Sequence, residues 1–121
     1  MVFSGRTISG SQYFTINLIT KAIDQITTKK GNKRGEIVGV KTRKIFYMVK
    51  DSVFATHIDT HKTEFIYKFD EDVIGSVTSL NADETLLGGA LITKDQQMKD
   101  KAVFLSTQAR DNAVHYEHSS I

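Results

Sequence analysis

Four histidines, two adjacent carboxylates, a glycine pair and a small basic cluster are the residues of this chain with chemistry to offer. His115 and His118, with Tyr116 and Glu117 between them, can meet one divalent ion from a single helical turn. The better-attested spacing is i, i+4 with a third ligand elsewhere, and both histidines lie close to the C-terminus, where chains fray. The expectation is therefore that neither holds a metal. His57 shares strand parity with Val53 and Ala55 and reads as a packed or edge histidine, whereas His61, in the turn "DTHK", reads as solvated.

Asp83 and Glu84 resemble a carboxylate pair, but between two apolar runs Asp83 has the simpler task of hydrogen-bonding the turn backbone. Gly88-Gly89 matches neither a dinucleotide fingerprint nor a phosphate loop. Arg6, in the Gly/Ser-rich "SGRTISG", has the charge to reach an anionic sugar and is expected to be solvated. Lys29, Lys30, Lys33 and Arg34 surround Gly31 and Asn32 without an aromatic to stack on bases, which reads as a solvated loop. No Ser/His/Asp nucleophile arrangement follows from these spacings. The catalytic residues stay unknown, with no metal or cofactor ligand assigned.

The whole chain narrows the classes further. Its 121 residues suffice for one ordinary domain. A net charge of +2 is too mild to argue for nucleic acid. No apolar stretch approaches the ~20 residues of a membrane span. No secretory leader is legible either, so the compartment stays open with the cytoplasm as the expectation. The absence of cysteine excludes disulfides and thiolate-held zinc or iron–sulfur centres. Proline is absent where about six would be average, and we have no physical account of that.

The elements that must position any site are strands. Short apolar β-type runs fall near 2–5, 12–18, 22–27, 35–40, 44–49, 52–58, 63–69, 76–80 and 85–92. Lys50-Asp51 and Asp59 to Lys62 are hairpin-length connections, so neighbouring strands should be antiparallel. Sliding the chain by forty residues lays "YFTINLITKAIDQIT" (13–27) on "VFATHIDTHKTEFIY" (53–67), with Phe14 on Phe54, Thr20 on Thr60 and Ile26 on Ile66. The same shift lays "GEIVGVK" (35–41) on "GSVTSLN" (75–81). A period near forty with four short strands per unit marks a β-propeller blade.

The expected fold is thus an all-β, incomplete propeller of about two to three four-stranded blades. It divides into a broken first blade (1–28), a complete blade (35–69) and the first two strands of a third (75–121). Met98, Ala102 and Leu105 stand at i, i+4, i+7, so a helical insertion is expected across 95–108 of that third blade. A propeller closes with four to eight blades. The abrupt opening on a β-type run at Val2-Phe3 leads to the expectation of an excerpt from a larger propeller. The remaining blades, or self-association, would then cover the open faces.

The run from Val2–Gly5 through Tyr13–Leu18, Ile23–Thr27, Phe46–Lys50 and Ile58–Tyr67 to Asn81–Gly89 resembles the N-terminal portion of oligogalacturonate lyases. These are seven-bladed propellers of pectin breakdown. The likeness covers about residues 1–93, and TolB and WD40-like propellers share some of its signals. It implies β-elimination on oligogalacturonides, with manganese stabilising the enediolate-like intermediate. In the family the metal is held by histidines and a glutamine from later blades, so no ligand is carried onto this chain, which alone should be inactive. The competing expectation is a non-enzymatic TolB-like propeller that presents loops to a protein partner. A truncated product without an independent role is the third.

Overall fold

The computed structural model describes residues 1–28, 30–70, 73–93 and 100–108. Among these described residues ten strands run in chain order: β1 (Val2–Thr7), β2 (Gly10–Ile16), β3 (Ile23–Gln25), β4 (Lys33–Gly39), β5 (Lys44–Val49), β6 (Ser52–His57), β7 (Thr63–Lys68), β8 (Val73–Leu80), β9 (Leu86–Thr93) and β10 (Asp100–Ser106). They form three antiparallel meanders, β1-β2-β3, β4-β5-β6-β7 and β8-β9-β10. The fold is all-β and is that of part of a propeller.

Strand β5 shows why these runs become strands. Its residues "IFYMV" are apolar without alternation, the pattern of a strand covered on both faces. Ile45 and Tyr47 point to one side and enter a core with Tyr13 and Ile26 of the first sheet. Phe46 and Met48 point to the other and join Val77, Leu87, Leu91, Val103 and Leu105 of the third. All four β5 residues are fully buried, each contributing roughly 1.5–3 kcal/mol of burial free energy. The middle sheet is therefore held between its neighbours by one strand that faces both.

The expected helical insertion across 95–108 is corrected at its second half. Residues 100–106 form β10, paired residue for residue with β9 from Asp100↔Ile92 to Ser106↔Leu86. The spacing of Ala102 and Leu105 suits a helix, but Val103 and Leu105 also alternate with the exposed Phe104, and the β9 edge rewards that period of two. Residues 95–99 lie outside the described residues. Among the described residues the third sheet consequently has three strands, where only its first two were expected.

Two glycines make close approaches that a side chain would forbid. At Gly39 a β-carbon would stand 2.6 Å from both Glu84 Oε1 and Thr42 Oγ1. At Gly89 it would collide with the carbonyl oxygen of Ser76, where the β8–β9 register shifts between Val77 and Ser79. Gly89 thus serves a β-bulge, which is the physical reason for its place in the Gly88-Gly89 pair.

Candidate functional site

Of the polar side chains singled out above, His61 lies in the β6–β7 turn, Asp83 and Glu84 lie in the β8–β9 turn, and His57 ends β6. The β2–β3 and β6–β7 turns share one design. The Asn17 amide N–H donates to the Ala22 carbonyl (2.9 Å), and Asn17 Oδ1 accepts from the backbone of Ile19 (2.9 Å) and Thr20 (3.1 Å). Forty residues on, the His57 N–H donates to the Lys62 carbonyl (2.9 Å), and His57 Nδ1 accepts from Asp59 (3.1 Å) and Thr60 (3.3 Å). Lys21 and His61 close the two turns at φ 65° and 62°. His57 is therefore a turn-building residue at a strand end, its ring nitrogen doing what an asparagine oxygen does.

His61 is exposed and reaches the first sheet, its Nε2 2.9 Å from Asp24 Oδ2. Beside it Arg43 grips Asp59 with two hydrogen bonds of 2.8 Å. The Arg43 guanidinium, by hydrogen bonding and by charge, holds the Asp59 carboxyl below its ordinary range. Asp59 is thus an ion-pair partner and is unsuited to act as a general acid near neutrality. Lys44 Nζ meets Glu64 at 2.7 Å on the same sheet.

The turn-backbone bonds expected of Asp83 are made by Asn81 instead, and Glu84 has a separate task. Asp83 remains at the surface, where its Oδ1 accepts from the Thr85 hydroxyl (3.3 Å), and the turn itself is capped by Asn81 Oδ1. Glu84, 8% exposed, extends to the β4–β5 turn of the neighbouring sheet. Oε2 accepts from the Lys41 amide (2.9 Å), and Oε1 from the Thr42 amide and hydroxyl (both 2.8 Å). Burial alone would push its carboxyl up, but these donors outweigh it and bring it below the ordinary value. The carboxylate is a clamp between sheets.

Two residues of the basic cluster, Lys33 and Arg34, are engaged. Lys33 Nζ donates to the carbonyls of Ser11 (2.9 Å) and Gly31 (3.2 Å). Arg34 Nη2 donates to those of Lys50 (3.2 Å) and Gly75 (3.1 Å), linking two sheets. Lys29 lies outside the described residues, as do His115 and His118. Arg6 lies in β1 rather than in a loop, with its side chain exposed.

A cleft of about 680 Å³ lies between the first and second sheets. Asp24, Asn17 and the Arg43–Asp59 pair supply its polar wall, and Val2, Leu18, Val38 and Val40 much of its apolar one. Among the described residues no three His, Asp or Glu side chains converge as a metal site. The cleft thus combines an apolar surface with polar and charged side chains.

No family model matches the chain. Among solved structures it is similar to the oligogalacturonate lyase of Vibrio parahaemolyticus, with a TM-score of 0.75 and 22% identity over 88% of this chain. That match covers 33% of the lyase, so the chain spans about a third of its length. Among curated proteins, 34 residues are 53% identical to a Bacillus subtilis protein named as a pyridoxal phosphate-dependent aminotransferase, EpsN. That stretch is 28% of this chain and 9% of the aminotransferase. The structural likeness establishes the fold, while the short match touches a small part of either protein.

Proposed function

We propose that these three sheets are successive blades of an oligogalacturonate lyase-type propeller and that their role in it is scaffold. The observation that carries this reading is the structural likeness over 88% of the chain. It agrees with the forty-residue repeat and with the residue run that resembles the same family. In the whole protein the reaction would be β-elimination on oligogalacturonides, which calls for a cation at the uronate carboxylate and a positioned base. The described residues do not fit a manganese site, so no step through the metal is assigned to them. Asp59 and Glu84, the carboxylates with lowered values, are both committed to hydrogen bonds and are poor bases. The aminotransferase likeness is not carried over, because a cofactor site draws on several elements and the match spans 9% of that protein.

The test has two arms. The 121-residue chain, given short polygalacturonate and manganese, should form no unsaturated uronate by ultraviolet absorbance. Manganese-dependent turnover by this chain would contradict the scaffold role. A longer polypeptide that continues this chain through further blades should form that product. Lack of turnover there would favour a propeller that only presents loops to a protein partner.

A further inference from the structure

We propose that Arg34 and Lys50, with Lys30 beside them, form a binding contact for a carboxylate of an anionic oligosaccharide. The contact holds substrate and supplies no reacting group, so it is compatible with a scaffold role in the chemistry itself. The uronate nature of the ligand rests on the lyase-type reading, whereas the contact rests on where these side chains stand. Separated in the sequence, they are brought together by the β4–β5 pairing, in which Lys33 lies opposite Val49 and Arg34 opposite Met48.

The β4–β5 ladder slips between Arg34 and Ile37, a bulge of the kind that re-aims a side chain. Arg34 reaches the third sheet: its Nη2 donates to the Lys50 carbonyl (3.2 Å) and, across the sheet boundary, to the Gly75 carbonyl (3.1 Å). These two carbonyls fix the guanidinium, while Nε and Nη1 make no hydrogen bond and the residue is exposed. A guanidinium already fixed by backbone loses little freedom on taking a carboxylate. β4 and β8 are the first strands of their sheets and pack side by side. Arg34 therefore stands on the inner rim, where a propeller's blades surround a central channel. This rim lies between the second and third sheets, away from β1.

Charge is divided between the two ends of the sheets. The ion pairs Arg43–Asp59, Lys44–Glu64 and His61–Asp24 all lie at the opposite end. At this end Lys30, Arg34 and Lys50 are exposed, and among the described residues they form no ion pair. The carboxylates of Glu36, Asp51 and Asp70 are not paired with them either, and Glu71 and Asp72 lie outside the described residues. Lys30 is held near Lys50 by its neighbour: a β-carbon on Gly31 would stand 3.1 Å from Val49, and the Gly31 amide is tied to the Ser9 carbonyl (3.0 Å). Cations left without counter-ions beside a fixed guanidinium suit a carboxylate ligand.

The probe is trigalacturonate, titrated without metal into the isotope-labelled full chain. The Arg34 Nε–H and Lys50 amide signals should move saturably, while those of Lys62, exposed at the opposite end, stay in place. Fully methyl-esterified trigalacturonate should move neither. Arg34→Gln should weaken binding by about tenfold and Lys50→Gly by about threefold. Glycine suits the φ of 54° at position 50, so Lys50→Gly keeps the fold and separates lost binding from lost structure. The proposal is overturned if trigalacturonate leaves Arg34 and Lys50 unmoved, if the methyl ester binds equally well, or if Lys50→Gly and Arg34→Gln both bind like wild type. In the longer polypeptide the same variants should raise KM and leave kcat within about twofold. Turnover there with KM unchanged overturns the proposal and leaves the lyase reading standing. Binding of trigalacturonate at Arg34 without turnover removes the lyase reading and leaves the carboxylate contact standing.

Discussion

His57 Nδ1 stands in its turn where Asn17 Oδ1 stands forty residues earlier, each accepting from the backbone amides two and three residues ahead. The two turns also share their closing bonds, Lys21 N–H to the Asn17 carbonyl (2.7 Å) and His61 N–H to the His57 carbonyl (2.9 Å). The repeat is therefore physical as well as textual. It assigns His57 a structural task that leaves its ring nitrogen occupied.

Exchange at this position follows from that equivalence. His57→Asn should keep the fold at near wild-type stability, because an amide oxygen does the same work at Asn17. His57→Ala should cost about 1–2 kcal/mol, the net worth of two hydrogen bonds, measured by urea denaturation.

The Glu84 clamp makes stability depend on pH in a defined direction. Its carboxyl titrates lower in the folded chain than its usual 4.5, so its contribution is fully present above that value. It is lost as the pH falls through the lower folded value, where the protonated acid can no longer accept from Lys41 and Thr42. Denaturation midpoints measured from neutral pH down through this range should fall more steeply for wild type than for Glu84→Gln. Glu84→Gln itself should melt several degrees lower at neutral pH.

Gly39 should be nearly as sensitive as its partner. Gly39→Ala places a methyl group against Glu84 Oε1 and Thr42 Oγ1, and should cost about 1–3 kcal/mol in thermal or urea unfolding. Combined with Glu84→Ala the two losses should be less than additive, since both open the same contact.

Lys50 offers the opposite sign. It is the first residue of the two-residue β5–β6 connection and lies at φ 54°, where hairpin chemistry favours glycine. Lys50→Gly should raise stability by about 0.5–1 kcal/mol, read as a higher denaturation midpoint with an unchanged slope.

Leu105 tests the strand in the tail. Fully buried opposite Leu87, it should cost about 2–5 kcal/mol as Leu105→Ala.

Much of the sheet architecture was legible because strand period, hairpin length and the forty-residue echo are local or regular signals. The run 44–49 was placed to the residue, since "KIFYMV" is apolar throughout and ends at Lys50-Asp51. β10 was less legible because Ala102 and Leu105 satisfy a helical spacing as well as a strand one, and only pairing with β9 decides between them. The task of His57 was hidden because histidine is not among the usual turn acceptors. Its alignment with Asn17 in the repeat carried that signal. The task of Glu84 was hidden because its partners lie more than forty residues away on another sheet, a separation that no local pattern reveals. The Arg34 contacts to two sheets were hidden for the same reason.

The central claim is that three sheets stack as neighbouring units of one propeller-type layer, with β5 between them. Nuclear Overhauser contacts between the rings of Tyr13 and Tyr47 test it most directly, because these residues belong to different sheets and their centroids lie 5.4 Å apart. The stack predicts strong ring-to-ring cross-peaks, accompanied by contacts from Met48 to Val77 or Leu87 on the other side. Intact cross-strand contacts within each sheet, with none between Tyr13 and Tyr47, would contradict the account.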